Sequence, residues 1–226
     1  MTFLLVSLTV VIIIAFELLR NSRRKMAHTA REVVTEHPTP VEVVDRYFHP
    51  AHSWALVSGG IANVTVGVDD FSERFIGTLS DLELPEIGQT LLQGDQLAML
   101  HHGNRHLAQA APVSGTVVEV NEGLKRNPSL LNHSPYERGW IARIAPSRLQ
   151  SDLRNLLSGS SAEAWRLAVR TQFMQLVSPR IGTVLQDGGE LINNIGDQFN
   201  DDEWKTIVRE FFPGSESHQP QNNPTN

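Results

Sequence analysis

Three histidines near the middle of the chain are side chains that suit a metal ion. His101, His102 and His106 lie within the six-residue segment HHGNRH. Neutral imidazole is a common ligand of zinc and similar ions. Adjacent residues of a β-strand point to opposite faces, however, so His101 and His102 do not converge readily on one ion. The three histidines are candidate metal ligands, and an exposed polar turn is the preferred interpretation.

The chain has few other side chains that could take part in covalent chemistry. The chain contains three lysines, Lys25, Lys125 and Lys205, and no cysteine. The lack of cysteine excludes disulfides, thiolate metal sites and cysteine nucleophiles. Ser114 lacks the motif that surrounds a nucleophilic serine, and the sequence has no phosphate-binding loop or dinucleotide fingerprint. We therefore predict no catalytic residues, no cofactor and no enzyme activity.

The first residues form an apolar run long enough to cross a membrane. Residues 2–19 read TFLLVSLTVVIIIAFELL, and the basic residues that follow are Arg20, Arg23, Arg24 and Lys25. Eighteen helical residues span about 27 Å, the thickness of the hydrocarbon core. The positive-inside rule then predicts a single-pass transmembrane helix over residues 1–20, with its N-terminus outside the cell membrane and the rest cytoplasmic. A buried helix and a cleaved signal peptide are the alternatives.

The charge of the chain is unevenly distributed. The net charge is −6, and residues 1–31 carry +4, so the remaining residues carry −10. An acidic domain binds nucleic acid poorly and is repelled by anionic lipid. We therefore predict no nucleic-acid partner, and membrane contact through the basic collar alone.

Short apolar runs separated by turn-forming residues predict β-strands within residues 49–148. The runs are WALV (54–57), IANVTVGV (61–68), LAML (97–100), GTVVEV (115–120) and WIARI (140–144). This spacing is typical of an antiparallel barrel or sandwich. The preceding residues 21–48 are predicted to be a juxtamembrane helix that ends at Pro38 and Pro40, followed by a linker.

Helical periodicity replaces the strand pattern over residues 149–213. Ser151 is predicted to be the N-cap of a helix that Gly159 ends. Ser160 is predicted to cap the next helix, because a glutamate follows three residues later in a capping-box pattern. The polar residues 214–226 are predicted to be a disordered tail.

Residues 112–140, PVSGTVVEVNEGLKRNPSLLNHSPYERGW, carry a recognisable motif. The stretch resembles the glycine cleavage system H protein family, and its first residues resemble lipoyl and biotinyl domains generally. His52-Ser53-Trp54 and residues 66–88 are similar to upstream parts of the same family. The resemblance covers about residues 50–148. It implies a mainly β, barrel-sandwich hybrid fold like that of lipoyl domains, to which the N-terminal transmembrane helix and the C-terminal α-helices are added.

The resemblance places the functional position of the family on Asn104. H proteins carry lipoate on a lysine at a hairpin tip, and counting back from Pro112 puts that lysine at Asn104, between Gly103 and Arg105. An amide bond to lipoate needs a primary amine, which neither an amide nor a guanidinium supplies. No lysine occurs in residues 26–124, so a shifted alignment supplies none. We therefore predict a protein that is not lipoylated.

These observations predict a membrane-anchored, non-lipoylated adaptor or accessory subunit that binds a protein partner on the cytoplasmic face. One alternative is a carrier in glycine and one-carbon metabolism that is modified at an unexpected residue. Another is a metal-binding sensor that uses the hairpin histidines. The sequence leaves open the identity of the partner and the packing of the C-terminal helices.

Overall fold

A computed structural model describes residues 45–58, 62–181 and 194–214, with the backbone alone described at residue 45 and residues 178–181. The predicted transmembrane helix and juxtamembrane helix lie outside these residues, as does the predicted tail from residue 215 onward. Within the described ranges, no helix is long and apolar enough to cross a bilayer.

The described residues form nine β-strands in two antiparallel sheets. The strands are β1 Asp45–Phe48, β2 Ser53–Val57, β3 Val64–Val68, β4 Asp81–Glu83, β5 Thr90–Leu91, β6 Gln96–His102, β7 Arg105–Ala110, β8 Gly115–Val120 and β9 Ala142–Pro146. Six pair in the order β1-β2-β3-β9-β8-β5, and three pair in the order β4-β6-β7. Apolar side chains from both sheets belong to one core, among them Val66 and Ile144 from the larger sheet and Leu100 from the smaller. The prediction of a mainly β fold with added helices is confirmed for these residues.

The strands coincide with short apolar runs between turn-forming residues, and β6 and β7 are buried over continuous stretches of four residues. β8 has the bounds of the predicted run, whereas β3 covers only the last five residues of the run predicted at 61–68. Gly67 in β3 is required by packing, because a Cβ there would lie 2.5 Å from the ring of Trp54. The fully buried Trp54 donates from its indole nitrogen to the carbonyl of Val68 at 2.8 Å.

The prediction that residues up to 48 form a linker is wrong at its end. β1 lies within that segment and pairs with β2, so that Phe48 is opposite Trp54. Phe48 also exchanges backbone hydrogen bonds of 2.7 and 2.9 Å with Leu157, far along the chain. Four residues after a proline-rich stretch carry little local strand signal, and these long-range bonds determine their conformation.

Six α-helices and one 3₁₀-helix complete the described residues. They are α1 Asp70–Ile76, α2 Glu122–Arg126, α3 Ser129–His133, α4 Leu149–Leu153, α5 Gly159–Ile181, the 3₁₀-helix Ile195–Gln198, and α6 Asp201–Phe211. The two short helices α2 and α3 lie between β8 and β9.

The predicted ends of the first C-terminal helices are wrong. Ser151 lies inside α4, and Gly159 begins α5 instead of ending the helix before it, so Ser160 is not an N-cap. The buried carboxylate of Asp152 accepts a hydrogen bond of 2.7 Å from the backbone nitrogen of Ser114. This contact with the residue that precedes β8 positions α4. A local capping pattern in the sequence does not indicate such a long-range contact.

The C-terminal helices pack on the same core as the sheets. Phe173 on α5 is fully buried, and its ring meets that of Phe71 on α1 edge to face at 5.3 Å. Trp204 on α6 stacks on Phe75 of α1 with the ring centroids 4.5 Å apart. The aromatic side chains of α1 therefore join α5 and α6 to the sheets.

We predict that Phe173→Ala lowers the free energy of unfolding by about 3–5 kcal/mol, because a buried aromatic side chain is removed without collapse of its surroundings. Urea denaturation of the full-length protein measures the effect. Leu167→Ala on the exposed side of the same helix is the control, since Leu167 is 67 % exposed. Equal effects of the two substitutions would contradict the packing of α5 on the sheets.

Candidate functional site

A two-residue loop forms the tip of the hairpin between β6 and β7. His102 pairs with Arg105 across the hairpin, so Gly103 and Asn104 alone connect the strands. Gly103 has a φ of +56°, and the first central residue of such a turn requires a positive φ. Both loop residues are exposed. Asn104 therefore lies at the tip of the hairpin.

The described lysines lie on elements other than the hairpin. Lys125 is on α2, where its ammonium is 3.2 Å from the carboxylate of Glu122. Lys205 is an exposed residue of α6. Lys25 lies outside the described residues. Among the residues that the structure describes, the hairpin therefore presents no primary amine.

The three hairpin histidines face different partners. The Nε2 atom of His101 lies 2.8 Å from Glu83 of β4, whereas His102 contacts Asp197 at 2.9 Å. His106 is exposed, and its ring centroid lies 6.5 Å from that of His101. The described part of the chain contains no group of three or more acidic or histidine side chains that could hold a metal ion. The structure does not gather the candidate metal ligands.

Arg105 connects the hairpin to the C-terminal part of the chain. Its guanidinium donates to the backbone carbonyls of Gly196 and Phe199. The same group lies over the ring of Trp204, with 4.8 Å from Cζ to the ring centroid. The carboxylate of Asp201 lies 3.9 Å from the guanidinium, whose side chain is 18 % exposed. A cation over an aromatic ring with two carbonyl acceptors holds this side chain in place.

His102 provides a second connection between the same segments. Its Nδ1 atom lies 2.5 Å from the carbonyl oxygen of Thr78, and its Nε2 atom lies 2.9 Å from Asp197. Thr78 donates its backbone N–H to the side-chain oxygen of Asn194 at 2.8 Å. We call these residues and those around Arg105 the hairpin junction: Thr78, His102 and Arg105 on one side, and Asn194, Gly196, Asp197, Phe199, Asp201 and Trp204 on the other.

The C-terminal members of the hairpin junction were not identified from the sequence. Arg105 and its carbonyl partners are separated by more than 90 residues. Gly196 carries the most useful local signal, since a Cβ there would lie 2.5 Å from the carbonyl oxygen of Phe75. A single glycine is too common to indicate such a contact from the sequence alone.

The buried side chains of His52 and Asp69 position α1. His52 has a φ of +64°, and its Nδ1 atom lies 2.8 Å from the carboxylate of Asp69. The other carboxylate oxygen of Asp69 accepts hydrogen bonds from the backbone of Phe71 and Ser72, and so caps α1. His52 and Asp69 therefore have a structural role, which accounts for the histidine of the His52-Ser53-Trp54 motif.

Asp70 binds α5 to α1. Its carboxylate accepts hydrogen bonds from Arg166 at 2.6 Å, from Arg170 and from the hydroxyl of Tyr136. Burial acts to raise the pKa of Asp70, but the hydroxyl and the two guanidinium groups outweigh it and hold the pKa below its ordinary value. Burial and the charges of Asp69 and Asp70 raise the pKa of Tyr136. Tyr136 therefore stays protonated and donates to Asp70.

Glu73 is a second buried carboxyl group of α1. Burial raises its pKa from 4.5 to about 7, although a hydrogen bond of 3.3 Å from Asn132 acts in the opposite direction. Asn132 also donates to the carbonyl of Gly77 at 2.9 Å, next to Thr78 of the hairpin junction. The protonation of Glu73 is therefore linked to the stability of the end of α1.

Two antiparallel sheets with an exposed hairpin define a mainly β domain to which helices are added. The sequence profile described as "Glycine cleavage H-protein" matches residues 46–167. A probable glycine cleavage system H protein of Thermococcus kodakarensis is 38% identical over 115 residues, which are 51% of this chain and 84% of that protein. The glycine cleavage system H protein of Thermus thermophilus is 38% identical over 113 residues, which are 50% of this chain and 86% of that protein. The chain therefore belongs to the glycine cleavage H-protein family.

A solved structure gives a partial alignment with this chain. The crystal structure of a glycine cleavage system H protein from Mycobacterium marinum has 27% sequence identity and a TM-score of 0.48, over 54% of this chain and 96% of that chain.

Family membership sets the biochemical class of the protein. H proteins are lipoyl carrier proteins that interact with other proteins, and they are not enzymes themselves. The prediction that this chain is not an enzyme is therefore confirmed. The family match ends at residue 167, within α5. The C-terminal half of the hairpin junction, from Asn194 to Trp204, consequently lies outside the matched residues.

We predict that Glu73→Gln stabilises the protein more at high pH than at low pH. The folded-state pKa of about 7 exceeds the ordinary 4.5, so the folded state retains the proton more strongly. The stability linked to this proton is complete below pH 4.5 and is lost as pH rises to 7. Glutamine mimics the protonated group, so the variant gains about 1–3 kcal/mol relative to the original protein between pH 4.5 and about pH 8.

Urea denaturation at the two pH values measures this difference. Glu86→Gln is the control, because the side chain of Glu86 is exposed to solvent in the folded protein. If the two glutamine variants had the same pH dependence, the assigned burial of Glu73 would be wrong.

Proposed function

We propose that this chain is a non-lipoylated member of its family that works as a protein-binding adaptor or accessory subunit. The observation that carries the proposal is the exposed tip Gly103-Asn104, which offers an amide where lipoate attachment needs an amine. Arg105 beside it is committed to carbonyl groups of the C-terminal segment. A covalent arm at this tip therefore has no attachment point.

The hairpin junction favours a surface that binds a protein over a mobile lipoyl arm. The side chains of His102 and Arg105 are held by partners on the C-terminal segment, so the strands that carry the tip are braced from one side. A surface that is ordered before binding loses less conformational entropy when a partner docks. A braced tip thus suits stable binding of a protein, and a mobile carrier arm has no need of it.

We further propose that the protein is anchored in the cell membrane. The apolar residues 2–19 and the basic collar Arg20, Arg23, Arg24 and Lys25 support a single span with the N-terminus outside. The folded domain then lies in the cytoplasm and brings its protein partner to the membrane. The net charge of −10 after residue 31 supports a protein partner over a nucleic acid.

A carrier function in glycine metabolism is the second candidate. The 38% identity to H proteins over most of their length favours it. This function requires a covalent group on a residue other than Asn104, and among the described residues the available amines are those of Lys125 and Lys205. The mass of the protein distinguishes the two candidates directly.

We predict that the intact mass of the protein from its native source equals the mass of the unmodified chain. Incubation with a lipoate–protein ligase, lipoate and ATP is expected to leave the original protein unmodified, because no amine is at the tip. Asn104→Lys supplies that amine on an exposed turn, and we expect the ligase to add one lipoyl group to it. Asn104→Lys combined with Lys125→Arg is the matched control and should react equally.

A lipoyl group on the native protein would refute the adaptor proposal and support the carrier. A ligase reaction with the unsubstituted chain would have the same consequence, and Lys125→Arg and Lys205→Arg then identify the acceptor residue.

Photo-crosslinking at the hairpin tip tests partner binding and location in intact cells. A photoreactive amino acid at position 104 is expected to give a discrete protein adduct that sediments with membranes. The same amino acid at position 125, exposed on α2 and distant in sequence, is the matched control and should not give that adduct. A variant without residues 1–31 should remain in the soluble fraction, because the apolar run is removed.

The absence of any adduct specific to position 104 would count against the adaptor. Recovery of the full-length chain in the soluble fraction would refute the membrane anchor and leave the binding proposal to the crosslinking result.

A further inference from the structure

We infer that the C-terminal segment Asn194–Trp204 is a proton-dependent clasp on the hairpin, fully closed only when both ring nitrogens of His102 carry a proton. The clasp is the C-terminal side of the hairpin junction, which lies beyond the residues matched by the family. It is independent of lipoylation and of the membrane anchor.

Two hydrogen-bond acceptors face the ring of His102. A backbone carbonyl oxygen lies 2.5 Å from Nδ1, and a carboxylate oxygen of Asp197 lies 2.9 Å from Nε2. Neither a carbonyl nor a carboxylate has a hydrogen to donate, and a neutral imidazole carries one N–H. Both hydrogen bonds therefore exist together only in the imidazolium form. Loss of a proton leaves one nitrogen lone pair facing an oxygen lone pair.

Charged groups surround the imidazole ring of His102. Arg105 lies directly across the hairpin from His102, and the carboxylate of Asp201 at the start of α6 lies 3.9 Å from the guanidinium of Arg105. The adjacent residue, His101, faces Glu83 of β4. With His102 protonated, the junction pairs its two cations with the carboxylates of Asp197 and Asp201. Deprotonation leaves Asp197 without its cationic partner.

The clasp combines carboxylates at the surface with apolar side chains that belong to the core. Asp197 and Asp201 are 42 % and 90 % exposed, so the groups that change partners lie at the surface. The buried side chains of Phe199 and Trp204 keep the segment near the hairpin when the polar contacts weaken. The expected change is local opening of residues 195–204, without unfolding of the sheets.

Hydrogen–deuterium exchange of the full-length protein tests the clasp. Rates are corrected for the intrinsic effect of pH, and all samples carry Glu73→Gln so that the titration of Glu73 does not contribute. Between about pH 5.5 and about pH 8, we expect exchange of residues 195–204 to rise about tenfold. Peptides from β8 and β9 should change little.

Asp197→Asn provides the decisive comparison. An amide accepts a hydrogen bond from the charged ring and donates one to the neutral ring, so it pairs with His102 in either state. We expect exchange in this variant to be independent of pH. His101→Gln is the matched control, since His101 faces Glu83, and it should retain the tenfold change.

Arg105→Ala shows that the segment is able to open, because it should raise exchange of residues 195–204 at both pH values. If exchange in the parent protein does not depend on pH, the inference is wrong. It is equally wrong if Asp197→Asn retains the full dependence, because the titrating group then lies elsewhere. Both variants at Asp197 and His101 alter partly exposed side chains, so their folding is not at issue.

Discussion

Aromatic packing on one short helix determines where the rest of this structure lies. Phe71 and Phe75 of α1 contact Phe173 of α5, and Phe75 also stacks on Trp204 of α6. Buried aromatic pairs of this kind contribute both area and preferred geometry. Because α1 is capped by the buried Asp69 next to β3, these contacts bring α5 and α6 onto the sheets. The segment before α6 is consequently placed beside the hairpin.

The hairpin between β6 and β7 is held from one side by the C-terminal segment. Its tip ends in Asn104, and the guanidinium of the adjacent Arg105 donates to the carbonyls of Gly196 and Phe199. A guanidinium between a ring and two carbonyl oxygens is well satisfied and is no acyl acceptor. The described C-terminal residues thus brace a tip that carries an amide at Asn104.

Individual elements explain which predictions succeeded. The bounds of β8 agree with the prediction, since a short apolar run after a glycine is a local signal. β1 was assigned to a linker because its pairing with β2 and its bonds to Leu157 are not visible in four residues. The start of α4 was misplaced because the buried Asp152 binds the backbone of β8. At the site, the position of Asn104 was predicted, but its neighbours across space were not.

The sequence by itself determined the chemistry that this protein lacks and much of its sheet. Absence of cysteine and of lysine in residues 26–124 is a matter of composition, and strand patterns repeat every two residues. Only the tertiary structure decided that His102 meets Asp197 and that Arg105 meets Gly196, across 95 and 91 residues respectively. Such contacts depend on which face of each helix packs against the core. Short-range sequence patterns do not determine that packing.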